Sequence, residues 1–253
     1  MILLLDIGNT HTHLGLADDR RVLRQAEMAT GRWFDQTAGR RVSKFVGRAP
    51  PAAAAVCSVV PRATAAVRRF LRDAGRLPLF VLTHRNVRGV GIDYPRPETI
   101  GPDRLANAVA VRHHYGAPSV VVDFGTAVTF DVVDQHGDYI GGIISPGLAA
   151  MTDYLHEKTA LLPRIRIREI DSVIGRNTEQ AMLVGAVHGY RGLIRELLME
   201  LKRELHCRRL PLVATGGCAK LIAARLPEIT AVEPALTLEG LRLVWKQNEQ
   251  REK

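Results

Sequence analysis

Short apolar runs alternate with amphipathic stretches along the whole chain. An apolar run of about four to eight residues that ends at Gly, Pro or Asp is typical of a buried strand, whereas apolar positions spaced by threes and fours are typical of a helix with one buried face. Because strands and helices alternate, the pattern predicts an α/β fold. Strands are predicted at residues 2–6, 12–17, 22–28, 52–59, 79–82, 119–123, 127–133, 139–144 and 211–214, and helices at residues 34–47, 62–74, 104–114, 179–205 and 218–225.

The three strands at the start of the chain and the three strands from residue 119 share one pattern. In each set an aspartate ends the first strand and a turn containing glycine follows, as Asp6–Thr10 and as Asp123–Ala127. Two similar halves predict a duplicated domain with a cleft between the copies. We place the boundary near residue 115, so the predicted domains are residues 1–115 and 116–253.

Composition narrows the class of protein. Apolar residues make up 46% of the 253 residues, which is enough for a buried core, and no apolar run is long enough for a membrane-spanning helix. The apolar start, Met1–Leu5, has no basic lead-in and ends at Asp6, so we interpret it as a buried strand and not as a signal peptide. The three cysteines form no C-x-x-C pair, which argues against a disulfide framework and a zinc site and favours a reducing cytoplasm.

The formal net charge of +9 would attract nucleic acid or any anionic ligand. The arginines occur as separated pairs, however, and the sequence contains no basic helix, no zinc-finger spacing and no strand with interleaved aromatic residues. Charge without such a motif supports only non-specific attraction. Nucleic-acid binding is therefore not the main function that the sequence predicts.

The two aspartate–glycine turns are the first candidates for chemistry. A glycine lets backbone N–H groups approach an anion closely, and an aspartate at the mouth of the turn can hold Mg²⁺ directly or through water. One such turn alone is more consistent with an ordinary hairpin, in which Gly and Asn tolerate a positive φ. Its recurrence in both halves favours phosphate binding.

A third glycine turn, Ala214–Ala219, follows a predicted strand and opens a helix, so its backbone can lie flat against a nucleotide base or ribose. Such junctions are also frequent for steric reasons alone. The chain has neither a P-loop nor a G-x-G-x-x-G motif. The three turns together resemble the actin, hexokinase and Hsp70 superfamily, which implies two actin-like, ribonuclease H-like domains and ATP binding. The candidate ATP-binding residues are Asp6, Gly8, Asn9, Thr10, Gly125, Thr126, Gly216 and Gly217.

The segment Tyr94–Val109 resembles the substrate signature of type III pantothenate kinases, with Gly101–Arg104 as its core. This resemblance implies ATP-dependent phosphorylation of pantothenate to 4′-phosphopantothenate, the first step of coenzyme A biosynthesis. It also implies a homodimer that uses Mg²⁺ and a monovalent cation, K⁺ or NH₄⁺. Further matching segments are Asp6–Thr10, Asp123–Thr129, Gly141–Gly147, Gly175–Thr178 and Thr215–Gly217.

The same resemblance implies a role for each matching residue. Asp6 would contact phosphate and Mg²⁺, and Asp103 would be the base at the pantothenate hydroxyl. Asp123 would hold the monovalent cation, and Thr126 would contact ATP. The implied pantothenate pocket comprises Tyr94, Gly101, Pro102, Arg104 and Thr178.

The residues themselves leave several roles open. Asp103 lies at a predicted helix start, where the positive helix end should keep its carboxylate ionised and a weak base, or where it could cap the helix without any chemistry. Arg104 could pair with a substrate carboxylate or with the γ-phosphate. Tyr94 could contact substrate or only pack, and we assign no role to His11 or His13.

The predicted helix 179–205 carries Gly185, Gly189 and Gly192, each of which costs up to ~1 kcal/mol relative to alanine. Close packing would offset that cost, either within one chain or across a homodimer interface.

Two other functions also stay open. One is a kinase for another hydroxy acid or sugar, which would differ near Tyr94–Arg104, and the other is a regulatory accessory protein of the same fold without turnover.

Overall fold

The computed structural model describes residues 1–48, 50–73 and 77–252, which form two compact units. The first unit contains residues 1–116, 137–140 and the described residues from 235 onward, and the second contains residues 117–136 and 141–234. The strands are β1 (Ile2–Ile7), β2 (His11–Ala17), β3 (Val22–Ala29), β4 (Ala53–Ser58), β5 (Leu79–Val81), β6 (Gly91–Ile92), β7 (Ser119–Phe124), β8 (Ala127–Val133), β9 (Asp138–Pro146), β10 (Leu212–Thr215) and β11 (Ala231–Val232). The helices are α1 (Ala38–Val46), α2 (Pro61–Asp73), α3 (Pro102–Tyr115), α4 (Leu148–Lys158), α5 (Thr178–Val184), α6 (Tyr190–Glu204), α7 (Ala219–Ala223) and α8 (Leu236–Glu252).

The first unit is built on a five-stranded sheet in the order β3-β2-β1-β4-β5. Strand β1 is antiparallel to β2 and parallel to β4, and its apolar residues are buried, so the prediction of a buried strand at the start of the chain is confirmed. The parallel register places Asp6 opposite Cys57. These residues lie near the carboxyl ends of β1 and β4, the edge at which α/β sheets bind their ligands.

Helices α3 and α8 pack closely within the first unit. The hydroxyl of Thr237 donates to Oδ1 of Asn107 at 2.8 Å, and a Cβ on Gly240 would lie 1.9 Å from the carbonyl O of Ala106. Only glycine allows so close an approach. Helix α8 was not predicted from the sequence, and it follows the second unit in the chain but belongs to the first. The domain division at residue 115 stays a prediction.

The second unit repeats the three-strand pattern of the first, as predicted. Its strands follow the order β11-β10-β7-β8-β9, with β7 antiparallel to β8 and parallel to β10. The segment between β5 and α3 contains β6 and a 3₁₀ turn, Pro97–Thr99, and β6 pairs with Asp138 and Tyr139 inside the first unit. The predicted end of a helix at residue 74 lies outside the described residues.

The predicted helix 179–205 is present as α5 and α6, joined by a π-helical turn at Gly185–Gly189. A Cβ on Gly185, Gly189 or Gly192 would meet no described heavy atom within 4 Å beyond its own helical backbone. The structure therefore gives no support to close packing within one chain as the reason for these glycines. Across the described ranges, no helix is long and apolar enough to cross a membrane.

Candidate active site

Asp6 lies in a small cluster of acidic groups in the first unit. The Cys57 thiol donates a hydrogen bond to Oδ1 of Asp6 across 3.3 Å. Burial and, to a smaller extent, the negative charge of Asp103 raise the pKa of Asp6 to about 7, although the bond from Cys57 lowers it. Two carboxylates that repel each other in this way are stabilised when they bind a cation or a proton.

Asp103 is the second residue of α3, after Gly101 at the helix cap and Pro102. Its Oδ1 accepts the N–H of Arg104 at 2.9 Å, and a Cβ on Gly101 would lie 2.4 Å from that oxygen. Burial raises the pKa of Asp103 despite this bond and the Arg104 charge. Desolvation therefore acts against the field of the helix end and makes this carboxyl a stronger base than an exposed aspartate.

Two predicted substrate residues meet at one buried ring, Tyr139. The Tyr94 and Tyr139 ring centroids are 6.1 Å apart in an edge-to-face arrangement, and the Arg104 Cζ lies 5.7 Å from the Tyr139 centroid. A ring face attracts a guanidinium and fixes its position. Sequence reasoning missed Tyr139, because it was recognised only as the start of a strand.

Two cavities in the first unit differ in their relation to these residues. A cavity of about 600 Å³ is lined by Ser58, Ile100 and Pro102 among others, so it adjoins the Gly101–Arg104 segment. A cavity of about 500 Å³ lies at the opposite end of β1, beside Met1, and no predicted site residue lines it. The first cavity is the candidate approach for a substrate.

The first aspartate–glycine turn is held by its own backbone and by Thr30. The N–H of Gly8 bonds to the carbonyl O of His11 at 2.9 Å, and Thr30 donates to the carbonyls of Gly8 and Thr10 at 2.7 and 2.9 Å. Neither Gly8 nor Asn9 has a positive φ, so that part of the expectation is wrong. Glycine is favoured at position 8 because a Cβ would lie 3.2 Å from the His11 carbonyl O.

The second turn, in the second unit, is supported by glycine on neighbouring segments. The N–H of Gly147 bonds to the carbonyl O of Thr126 at 3.1 Å. A Cβ on Gly147 would lie 2.3 Å from that oxygen and 2.5 Å from the Gly125 carbonyl O. The segment ending at Gly147 therefore reaches the second turn only because it carries no side chain there.

The Gly-Gly turn meets Asp123 in the same unit. Gly216 has a φ of +89°, and a Cβ there would lie 2.6 Å from Oδ1 of Asp123 and 2.7 Å from Phe124 backbone atoms. A Cβ on Gly217 would meet no heavy atom of the described residues within 4 Å, apart from its chain neighbours. Steric demand explains Gly216, whereas Gly217 leaves an open backbone surface on which a flat ligand could lie. Thr178 also belongs to this unit and begins α5, exposed, after the capping residue Asn177.

The acidic residues fit a magnesium ion better than a metal bound entirely by protein. In the parts of the chain that the structure describes, no three His, Cys, Asp or Glu side chains form a group that could hold a metal. Asp6 and Asp103 together offer carboxylate oxygens and unfavourable negative charge. Mg²⁺ binds through one or two carboxylates, several waters and substrate phosphates, so this pair matches its usual donors.

Comparison with known proteins decides the family. A family model described as type III pantothenate kinase matches residues 2–200. A type III pantothenate kinase of Akkermansia muciniphila is 46% identical over 241 residues, which cover 95% of this chain and 96% of that one. This chain belongs to the type III pantothenate kinase family. As a member of the type III pantothenate kinases, it is a phosphotransferase that uses ATP.

Solved structures agree on the fold of this pantothenate kinase family member. A Campylobacter jejuni protein described as a Baf family transcriptional activator has a TM-score of 0.62 at 20% identity, over 98% of this chain and 99% of its own. An Arthrobacter polyphosphate/ATP-glucomannokinase has a TM-score of 0.52 at 15% identity, over 97% of this chain and 98% of its own. The predicted α/β fold with two actin-like domains is confirmed.

Proposed function

We propose that this chain transfers the γ-phosphate of ATP to pantothenate, giving 4′-phosphopantothenate in the first step of coenzyme A biosynthesis. The observation that carries the proposal is that the charge of Asp103 raises the pKa of Asp6, and that Asp103 lies within the Gly101–Arg104 substrate segment. A kinase needs one carboxylate near the phosphates and one near the acceptor hydroxyl, and this pair supplies both.

In the proposed mechanism Asp103 accepts the proton of the pantothenate hydroxyl as phosphate transfer proceeds. Its raised pKa makes it a better base than an exposed aspartate, and a loose transition state asks mainly for correct positioning. Bound Mg²⁺ would neutralise phosphate charge, with Asp6 as its protein ligand. Arg104, positioned by Tyr139, pairs with the pantothenate carboxylate or with phosphate. The further proposed pantothenate-binding residues are Tyr94, Gly101, Pro102 and Thr178.

The test is ADP release by purified protein with magnesium-ATP and a panel of acceptors. Pantothenate should stimulate turnover, and glucose and glycerol should have little effect. Equal ADP release without pantothenate would reject the proposal. Turnover with a different hydroxy acid or sugar would favour the alternative kinase, and binding of ATP without any turnover would favour the accessory protein.

Asp123 is the proposed ligand of K⁺ or NH₄⁺. Its support is chemical, since hard cations prefer oxygen ligands and a carboxylate beside phosphates needs positive charge. Replacing Na⁺ by K⁺ at constant ionic strength should raise activity, and Asp123→Ala should remove that difference. Identical rates in both salts, with Asp123→Ala unaffected, would contradict the assignment.

A homodimer that packs along the glycines of α5 and α6 is the proposed active unit. Gly185, Gly189 and Gly192 are exposed and face open space within their own chain, which leaves room for a second helix. Gly189→Leu should produce a folded monomer with weaker pantothenate binding, because a two-fold interface meets the added side chain twice. Light scattering and kinetics test this, with Gly31→Leu, also at an open glycine, as the control. A fully active Gly189→Leu monomer would reject the dimer requirement.

The cytoplasm is the proposed location of the enzyme. Cys57, Cys207 and Cys218 are all free thiols in the structure, which suits a reducing compartment. Fractionation of cells that produce the protein tests this, and recovery outside the cytoplasm would contradict it.

A further inference from the structure

Residues 159–177 of the second unit, which we call the strap, contain neither helix nor strand and connect α4 to α5. Segments of this length without secondary structure are uncommon in compact domains and are usually functional. The strap ends directly before Thr178, the residue of this unit that we place in the pantothenate pocket. The contacts that hold the strap therefore bear on substrate binding.

Four consecutive strap residues are each held to the body of the unit. The partners of the first and third residues lie in α5 and in the π-helical turn, respectively. The partners of the second and fourth residues are an arginine of α6 and an arginine of the segment that follows α7. The pairs are Arg168 with Glu179 (3.1 Å), Glu169 with Arg191 (2.6 Å), the Ile170 carbonyl with His188 (2.9 Å), and Asp171 with Arg225.

Arg191 is the central residue of this arrangement. Its guanidinium binds the Glu169 carboxylate through two bonds, Nη1 to Oε1 at 2.9 Å and Nη2 to Oε2 at 2.6 Å. The same guanidinium donates to the carbonyls of Leu221 at 2.6 Å and Ile222 at 3.2 Å. Both carbonyls belong to α7, the short helix that follows the Gly216–Gly217 turn. One side chain thus ties the strap to the helix behind the candidate nucleotide turn.

The charge and burial of Arg191 make this tie rigid. Only 3% of Arg191 is exposed, and a buried guanidinium without its partners is strongly unfavourable. A forked arginine–carboxylate pair also fixes orientation, which a lysine ammonium cannot reproduce. Movement of the strap or of α7 would break bonds that Arg191 cannot replace with water.

The end of the strap is seated on α5, so its position affects Thr178. The side chain of Asn177 accepts the N–H of Gln180 at 2.9 Å, and a Cβ on Gly175 would lie 2.2 Å from the Ala181 N. This close backbone contact leaves little room for the strap to shift without displacing the start of α5.

We propose that Arg191 is a positioning residue for the kinase reaction, which holds the Thr178 end of the pantothenate pocket through Glu169 and the Gly216–Gly217 turn through α7. The proposal rests on the function proposed above. It predicts that one buried residue, outside both binding sites, controls the affinity for both substrates. Glu169 belongs to the strap and pairs with Arg191 and Arg225, neither of which lies in α7, so its substitution should affect only the affinity for pantothenate.

The experiment measures KM for pantothenate and for ATP in three variants. Arg191→Lys should raise both KM values about tenfold while kcat falls less than about threefold, because positioning for binding is lost and the reacting groups remain. Glu169→Gln, at a partly exposed position, should raise KM for pantothenate and leave KM for ATP unchanged. Arg195→Met is the matched control: Arg195 lies one turn further along α6 and pairs with Glu228 at 3.0 Å, outside the strap, so neither KM should change.

The results that would overturn the proposed role of Arg191 differ from those that would support it. Unchanged KM values in Arg191→Lys, or a rise equal to that in Arg195→Met, would overturn the proposal. If the wild-type protein does not phosphorylate pantothenate, the proposed function fails by itself. Hydrogen exchange at residues 172–178 and ATP binding measured by calorimetry then test the positioning role of Arg191. Faster exchange and weaker ATP binding in Arg191→Lys, but not in Arg195→Met, support it, and equal values in the two variants overturn it.

Discussion

The two aspartate–glycine turns hold the same place in their sheets but are built differently. In the first turn the N–H of Gly8 bonds to the carbonyl three residues on, whereas the N–H of Gly125 bonds two residues on. The strand registers show the same difference. Ile7 pairs with Thr12 in the first hairpin and Phe124 pairs with Val128 in the second, so the second hairpin loop is one residue shorter. The repeated sequence pattern therefore does not give a repeated backbone.

The surroundings of the two turns differ more than the turns themselves. Asp6 lies among titratable groups, Cys57 and Asp103, whose charge and burial shift its pKa. Around Asp123 the space is made by Gly147 and Gly216, where any side chain would collide with the second turn or with Asp123. We infer that the first turn, together with Asp103, serves acid–base and magnesium chemistry, whereas the second turn offers its backbone to a ligand and the Asp123 carboxylate to a monovalent cation. Substitutions should separate these roles.

The largest effect is expected at the acidic pair. Asp103→Asn should lower kcat by ~10²- to 10⁴-fold, the usual contribution of a positioned base. The melting temperature should stay equal or rise, because the repulsion of Asp6 is removed. Steady-state kinetics and thermal unfolding measure both quantities. A kcat within threefold of wild type would end the assignment of Asp103 as the base.

Two adjacent glycines, Gly216 and Gly217, test the surroundings of the second turn. Gly216→Ala should lower the free energy of unfolding by ~2–4 kcal/mol, because it adds a positive-φ penalty to contacts below 3 Å. Gly217→Ala has open space and should cost less than ~1 kcal/mol, while weakening ATP binding if a nucleotide lies on this backbone. Urea unfolding and ATP titration measure the pair. Equal stability losses would show that the two positions do not differ as described.

Asp6 predicts a particular pH dependence of stability in metal-free protein. Its pKa is raised from 3.8 to about 7, so between these values the folded state binds a proton that the unfolded state has lost. The stability contributed by protonated Asp6 is therefore fully present below the lower value and is lost as pH rises towards the upper value. Relative to wild type, Asp6→Asn should gain stability as pH rises from ~4 to ~7. Parallel melting-temperature curves would contradict the shifted pKa.

The smallest effect is expected at Cys57. Cys57→Ser keeps a hydrogen-bond donor beside Asp6 and should change kcat by less than about threefold. Cys57→Val removes the donor at similar size and should lower kcat about fivefold, the worth of one hydrogen bond near 1 kcal/mol. Kinetics of both variants, compared at one pH, give the answer. Equal rates in the two would show that the thiol does not influence Asp6.

The sequence predicted the elements that depend on local signals. Apolar runs that end at Asp6 and Asp123, followed by glycine, marked both central strands and their turns correctly. The long helix was predicted in extent, but its π-helical turn was not, because apolar spacing cannot distinguish one extra residue in a helical turn. Helix α8 escaped prediction because its burial depends on α3, far away in the sequence.

The sequence allowed prediction of those site residues that lie within a recognisable motif. Cys57 was missed because its contact with Asp6 follows from the parallel register of β1 and β4, which no local pattern fixes. The desolvation that raises the pKa of Asp103 was not predicted, because a helix end is visible in the sequence and the burial of one carboxyl group is not. Tyr139 was missed because the contact between its ring and Arg104 depends on tertiary packing, which no local sequence pattern shows.

Identification of the product tests the central claim most directly. Purified protein would be incubated with magnesium-ATP and pantothenate, and the mixture analysed by mass spectrometry and ³¹P nuclear magnetic resonance. The account predicts pantothenate carrying one phosphate on its terminal hydroxyl, formed in step with ADP, and a trace at most with Asp103→Asn. ATP consumption by the wild-type protein without any phosphorylated pantothenate would contradict it.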